Sequence, residues 1–173
     1  MSHLEQRAFF AFAKSMYPEF FQDVSVIEIG SLNINGSIRE FYSNCNYLGV
    51  DVAPGKDVDL VVSGHELKFP NGSFSVAASA ECFEHNPHWK ETFNNMYEIA
   101  SDFVIFSCAS DGRPEHGTAR SEPEASPFTI GWDYYRNLNR VDFTSNFNIE
   151  SMFKEHYFFH NRTSKDLYFW GLK

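Results

Sequence analysis

Val24-Ser25-Val26-Ile27-Glu28-Ile29-Gly30-Ser31-Leu32, continuing through Asn33-Ile34-Asn35-Gly36-Ser37, is the stretch that decides how this chain folds. A β-branched run broken by Ser25 ends in a glycine. Asn35 or Gly36 then opens a segment carrying Ile38, Phe41 and Tyr42, a helical signal. Glycine at such a turn lets backbone approach a ligand where a Cβ would stand in the way, and a helix start offers free N–H groups. A second run, Tyr47–Val50, ends at Asp51, 21 residues beyond Gly30. An acidic side chain at that strand tip can accept hydrogen bonds from both hydroxyls of a ribose. A plain turn aspartate ahead of Ala53-Pro54-Gly55 is the alternative.

Working outward, Val58–Val62, Phe74–Ala80 and Phe103–Cys108 are further short apolar runs. Uninterrupted runs of this kind suit strands covered on both faces, as in a parallel sheet between helices. Trp89, Phe93, Met96, Tyr97 and Ala100 recur at helical spacing, with Pro87 suited to a first helical turn, so the pattern predicts a crossover helix over 87–100. Leu4, Ala8, Phe12 and Met16 predict an amphipathic helix over 3–16, with Ser2 and Glu5 as a capping box and Pro18 as its stop. Residues 109–127, broken by Gly112, Pro114, Gly117, Pro123 and Pro127, read as a long loop; Asp133–Leu138 and Asn148–Glu155 read as short helices. Tyr157–His160 and Leu167–Leu172 read as an antiparallel hairpin. The whole is an α/β chain: a three-layer, Rossmann-like sandwich, mostly parallel, with a C-terminal antiparallel hairpin, and residues 1–173 make one domain. Only seven residues separate Asp51 from Asp59, so the second crossover is a turn or a short 3₁₀ piece, or the two strands are not parallel neighbours.

Composition narrows the function. The net charge of −9 argues against a face built for nucleic-acid phosphates. No apolar window approaches a membrane span, and the Met1 end carries no apolar run after a basic start. Cys45, Cys82 and Cys108 have no zinc or redox spacing and read as structural thiols of a reducing compartment, which points to the cytoplasm.

Four segments in order resemble the class I S-adenosylmethionine-dependent methyltransferases: Glu28-Ile29-Gly30-Ser31, Asp59–Leu67, Phe69–Val76 and Ser79–His85. The resemblance covers 24–110 well and 111–173 more loosely. It implies a Rossmann-like fold, S-adenosyl-L-methionine as cofactor and methyl transfer to an unidentified acceptor, with a small molecule favoured. By that resemblance Glu28, Gly30 and Ser31 line the methionine part, Asp51 holds the ribose with Val52 against the adenine, Gly64 and His65 flank the adenine, and Ala80 and Glu81 lie near the methionine amino group. Leu32 stands where the commoner second glycine would fall, Ser63 where an aspartate often meets the adenine, and Ser75 where the family has Asp. The competing reading is a degenerate methyltransferase fold acting as a binding or structural module. A dehydrogenase lacks support, because G-x-G-x-x-G is absent.

His85, Glu115 and His116 are the candidate catalytic residues, since a near-neutral imidazole can remove a proton from an attacking oxygen or nitrogen. Glu115-His116 lies in the long loop, and residues 111–127 are expected to cover the acceptor site. Glu84-His85 and Glu115-His116 are adjacent pairs that point apart on regular structure, and no H-x-x-x-H spacing exists, so the spacing predicts no metal. Asn86-Pro87-His88-Trp89 resembles a base-holding motif of amino-group DNA methyltransferases but is fully explained as a helix start. Tyr134, Tyr135 and Arg136 read as core plus one solvated Arg, or as a lid.

Overall fold

The computed structural model describes residues 4–173. A seven-stranded sheet runs through the molecule: β1 (Ser25–Ile29), β2 (Asn46–Asp51), β3 (Leu60–Val61), β4 (Phe74–Ala80), β5 (Ala100–Ala109), β6 (Glu155–Asn161) and β7 (Asp166–Leu172), in spatial order β3-β2-β1-β4-β5-β7-β6. β1 to β5 are mutually parallel, and β7 enters antiparallel between β5 and β6. Strand order reverses between β1 and β4, so a crevice opens there at the carboxyl ends of the strands, the place where such sheets bind ligands.

Alternation along β1 sorts the two faces. Val26 joins Phe9, Phe10 and Ala13 of α1 (Leu4–Met16), together with Ile38 and Tyr42, on one side. Ile27 and Ile29 join α2 (Trp89–Ile99), Phe143 of α3 (Arg140–Asn146) and Ile149 of α4 (Ile149–Met152) on the other. Phe10, Phe21, Phe103 and Phe106 are wholly buried. Each such side chain contributes about 1.5–3 kcal/mol of transfer free energy.

Several sequence expectations change. The series Leu4, Ala8, Phe12, Met16 is the outward stripe of α1; its buried face is Gln6, Phe9, Phe10 and Ala13. Gln6 is buried because its amide donates to Glu81 Oε1 (3.2 Å) and to the Ser107 hydroxyl, so a polar residue holds α1 onto the sheet. The expected Ser2 cap lies outside the described residues. Ile38–Phe41 forms only a 3₁₀ turn, and β2 reaches its parallel neighbour β3 with no crossover helix. Pro87 precedes the N-cap His88 of α2 instead of occupying its first turn. Residues 133–138 are not helical, because their N–H groups bond elsewhere: Arg136 to Glu84 O and Leu138 to Ala109 O, both 2.9 Å. The helix begins afterwards, at a capping box in which Asn139 accepts from Val141 and Asp142 while Asp142 accepts from Asn139 N. Asn148–Glu155 shrinks to α4, since Glu155 already starts β6. Tyr157 and Phe159 of the expected hairpin are 50% and 45% exposed on the edge strand β6. All three cysteines are free thiols, and no helix among the described residues is long and apolar enough to cross a membrane.

Candidate active site

Chain reversals at three neighbouring strand tips build the crevice. At the end of β1, Gly30 takes φ +80°, and a Cβ there would meet Cys82 Cβ at 2.7 Å. Only glycine serves at this corner. Gly30 N and Ser31 N both donate to Val50 O (2.9 and 3.1 Å), which ties the turn to β2. Ser31 is buried with a partnerless hydroxyl. At the end of β2, Asp51 Oδ2 accepts from Leu32 N (3.0 Å) and Oδ1 from Val52 N (2.7 Å). Each oxygen keeps a second acceptor position free. Burial raises the Asp51 pKa, against the pull of the Leu32 and Val52 N–H groups. At the end of β4, Glu81 is held in the left-handed region (φ +51°). That conformation carries roughly 1–2 kcal/mol of strain for a non-glycine residue. It turns the Glu81 carboxylate toward Gln6, Ser107 and Arg113, whose Nη2 stands 3.9 Å from Oε2.

The structure brings Gly30, Asp51, Glu81 and His85 to one chamber, and Gly30, Asp51, Val52 and Gly64 to a second beside it. Sequence reasoning read Cys82 as a structural thiol and Asn86 as part of a helix start and did not single out Thr129, yet all three also line them. Cys82 had a signal: it stands between Glu81 and His85 in the fourth matching segment. Glu28 points elsewhere. It sits on the α1 face of β1, where the Tyr47 hydroxyl donates to its Oε2 at 2.7 Å, and burial pushes its pKa up to about 7. Ala80 packs with the α1-side core. His65 stacks on His88 (ring centroids 4.0 Å) and lines neither chamber.

The long loop does not keep Glu115 and His116 together. Glu115 is exposed, and its Oε1 accepts from Thr118 (2.7 Å) and Arg120 (2.9 Å), bonds that lower its pKa. His116 turns inward against His85 and Tyr135, each with ring centroids 5.0 Å away. Burial lowers both imidazoles, with His85 down to about 3, so both are neutral at physiological pH. Tyr135 belongs to this wall, and its hydroxyl donates to Pro114 O at 3.0 Å. Trp89 is buried against Phe143 and is unavailable to stack on a base.

A strap, residues 125–132, lies across the crevice. Ala125, Phe128 and Thr129 wall the first chamber, and Thr129 and Trp132 wall the second. The chambers hold about 50 and 30 Å³. Pockets for whole ligands run to roughly 300–1,000 Å³. With the strap in this position the chambers are too small for a nucleoside-sized ligand.

No protein-family model and no curated protein matches the sequence. Solved structures do match the fold. A 1,6-didemethyltoxoflavin-N1-methyltransferase of Burkholderia thailandensis, crystallised with its substrate and S-adenosylhomocysteine, superposes with a TM-score of 0.63 at 12% identity over 98% of this chain and 80% of its own. The chain has the fold of the class I methyltransferases. The YcgJ protein of Bacillus subtilis gives 0.61 at 10% identity over 96% and 98%. The CurJ carbon methyltransferase gives 0.58 at 11% identity over 88% of this chain, which spans about half of that one (49%).

Proposed function

We propose that this chain, residues 1–173 acting as one domain, transfers the methyl group of S-adenosylmethionine to a small-molecule acceptor. The observation that carries this reading is the corner where the Gly30 turn faces Asp51 at the tips of β1 and β2. The residues fit the cofactor: Gly30 leaves room for close backbone approach, and Asp51 has two free acceptor positions for ribose hydroxyls, while Ser31 turns its buried hydroxyl toward Gly49 and would need to rotate to reach the methionine part. The sulfonium of the bound cofactor is the electrophile, so the protein's task is largely positioning. Val52 and Gly64 would flank the adenine. Glu81, at the fourth strand tip and restrained by Gln6 and Arg113, would meet the methionine amino group. His85 and His116 are neutral and would orient the acceptor as hydrogen-bond partners. Glu115, engaged by Thr118 and Arg120, takes no part. Three free thiols suit a reducing compartment, in keeping with the cytoplasm.

Incubation with methyl-labelled S-adenosylmethionine and fractionated small metabolites tests the reading. Label passes to a small product with release of S-adenosylhomocysteine, and Asp51→Ala suppresses it.

One observation favours the second reading, a non-catalytic module: the strap already occupies much of the crevice. Binding of S-adenosylhomocysteine without any transfer would support that reading, as would no binding at all.

A further inference from the structure

Behind the crevice wall lies a cluster that the spacing of the sequence argued against. Glu84 and His85 belong to the 3₁₀ turn Phe83–His85 after β4, and His116 arrives from the long loop. One ligand atom from each of Glu84, His85 and His116 lies within 4.8 Å of the other two, and all three residues are buried. Adjacent residues point apart on a strand or an α-helix. In this 3₁₀ turn, Glu84 and His85 instead converge on His116.

The bonding around the cluster is incomplete. Glu84 is wholly buried, and neither carboxylate oxygen has a hydrogen-bond partner. The nearby backbone N–H groups of Glu84 and Ala109 ease its charge only in part. Arg113, the cation closest in sequence to the cluster, is paired with Asp166 at 2.9 Å and with Glu81, and acts on Glu84 only through space, with no contact. His85 Nδ1 is likewise buried and partnerless. His116 Nδ1 lies 3.1 Å from Pro114 O. A carbonyl only accepts, so the proton sits on Nδ1 and the lone pair is left at Nε2. A backbone carbonyl orienting a histidine in this way is the arrangement that supports metal-bound imidazoles. Gly117 (φ +63°) lets the loop close on the site, since a Cβ there would lie 2.6 Å from His85 Cε1.

An uncompensated buried carboxylate is expensive. Of the two imidazoles beside it, His116 presents the lone pair of Nε2 and His85 an unpartnered Nδ1. We propose that Glu84, His85 and His116 bind a divalent transition-metal ion of the zinc class. Two nitrogens and one carboxylate oxygen suit such an ion, whereas magnesium and calcium prefer all-oxygen sets. Bond lengths of about 2.0–2.1 Å in a tetrahedron put ligands roughly 3.3 Å apart. Closing from 4.8 Å needs side-chain movements of about an ångström. Three protein ligands leave one position open, and His85 also lines the first chamber. The site stands whichever reaction the crevice performs.

Calorimetric titration of chelator-treated protein with zinc chloride, repeated with cobalt(II) and read by visible absorption, tests this. The expected result is one ion per chain. His85→Ala and His116→Ala each weaken binding ten-fold or more, Glu84→Gln does likewise, and the exposed-histidine control His160→Ala leaves it unchanged. X-ray absorption on the wild-type zinc complex, showing two imidazole ligands and one carboxylate, keeps the test decisive if a variant fails to fold. Failure of folded wild-type protein to bind zinc or cobalt overturns the proposal and leaves Glu84 as a buried neutral acid. So does binding that survives in the folded His85→Ala/His116→Ala double variant. None of these readouts depends on S-adenosylmethionine, so they fail or succeed apart from the methyl-transfer reading.

Discussion

Replacing Glu28 by glutamine should make the protein more stable at neutral pH than at acid pH, relative to wild type. Glu28 is buried on the α1 face of β1, and its pKa rises from 4.5 to about 7, chiefly through burial, against the opposing Tyr47 hydrogen bond. Because the folded pKa is raised, the folded chain holds a proton that the unfolded chain has released between about pH 4.5 and 7. The resulting stability is fully present below pH 4.5 and is lost as pH rises through 7. One pKa unit corresponds to about 1.36 kcal/mol, so the loss is on the order of 3 kcal/mol. The substituted amide keeps an acceptor for the Tyr47 hydroxyl and does not titrate, while every other group titrates alike in both proteins and cancels. The variant's advantage should therefore grow by about 3 kcal/mol between pH 4.5 and 8, or roughly 6–12 °C in Tm for a domain of this size. Urea and thermal denaturation followed by circular dichroism at pH 4.5, 6 and 8 measure it. Parallel stability–pH curves for the two proteins would refute the reasoning.

Two further outcomes follow from the crevice. Asp51→Ala removes two charge-assisted hydrogen bonds to a ribose, each worth about 1.5–3 kcal/mol; S-adenosylhomocysteine affinity, measured by calorimetry on folded variant, should fall ten-fold or more, and an unchanged affinity rejects the ribose role. Phe128→Ala loosens the strap over the chambers, so stopped-flow association of the same ligand should accelerate several-fold, whereas an unaltered rate would mean that the strap does not gate entry.

β1, β4 and β5 were legible because they are covered on both faces and so read as apolar runs, whereas β3, an exposed edge of two residues, was legible only from the short run around it. Phe74–Ala80 appears in the structure with the bounds its sequence suggested. α1 was legible as a helix but not in its orientation. Its outward stripe is more apolar than its inward one, and the Gln6 bonds to Glu81 and Ser107 decide which face is buried. Residues 133–138 misled because Tyr135 packs on His85 and His116 and Leu138 on the α2-side core, with no helical periodicity behind them. The Asn139–Asp142 capping box was a readable signal for the helix that does form. At the site, Gly30 and Asp51 were visible as a turn and a strand tip. Glu28, which the resemblance assigned to the methionine part, is turned away from the crevice by alternation along β1. The meeting of Glu84, His85 and His116 depends on a 3₁₀ turn and a loop 31 residues downstream of His85, and neither sets a spacing that can be read from the chain.

Calorimetric titration of the wild-type protein with S-adenosylhomocysteine tests the central claim most directly. The account predicts saturable binding of one ligand per chain at micromolar concentration. No heat of binding and no shift in Tm at millimolar ligand, in a protein that is otherwise folded, would contradict it.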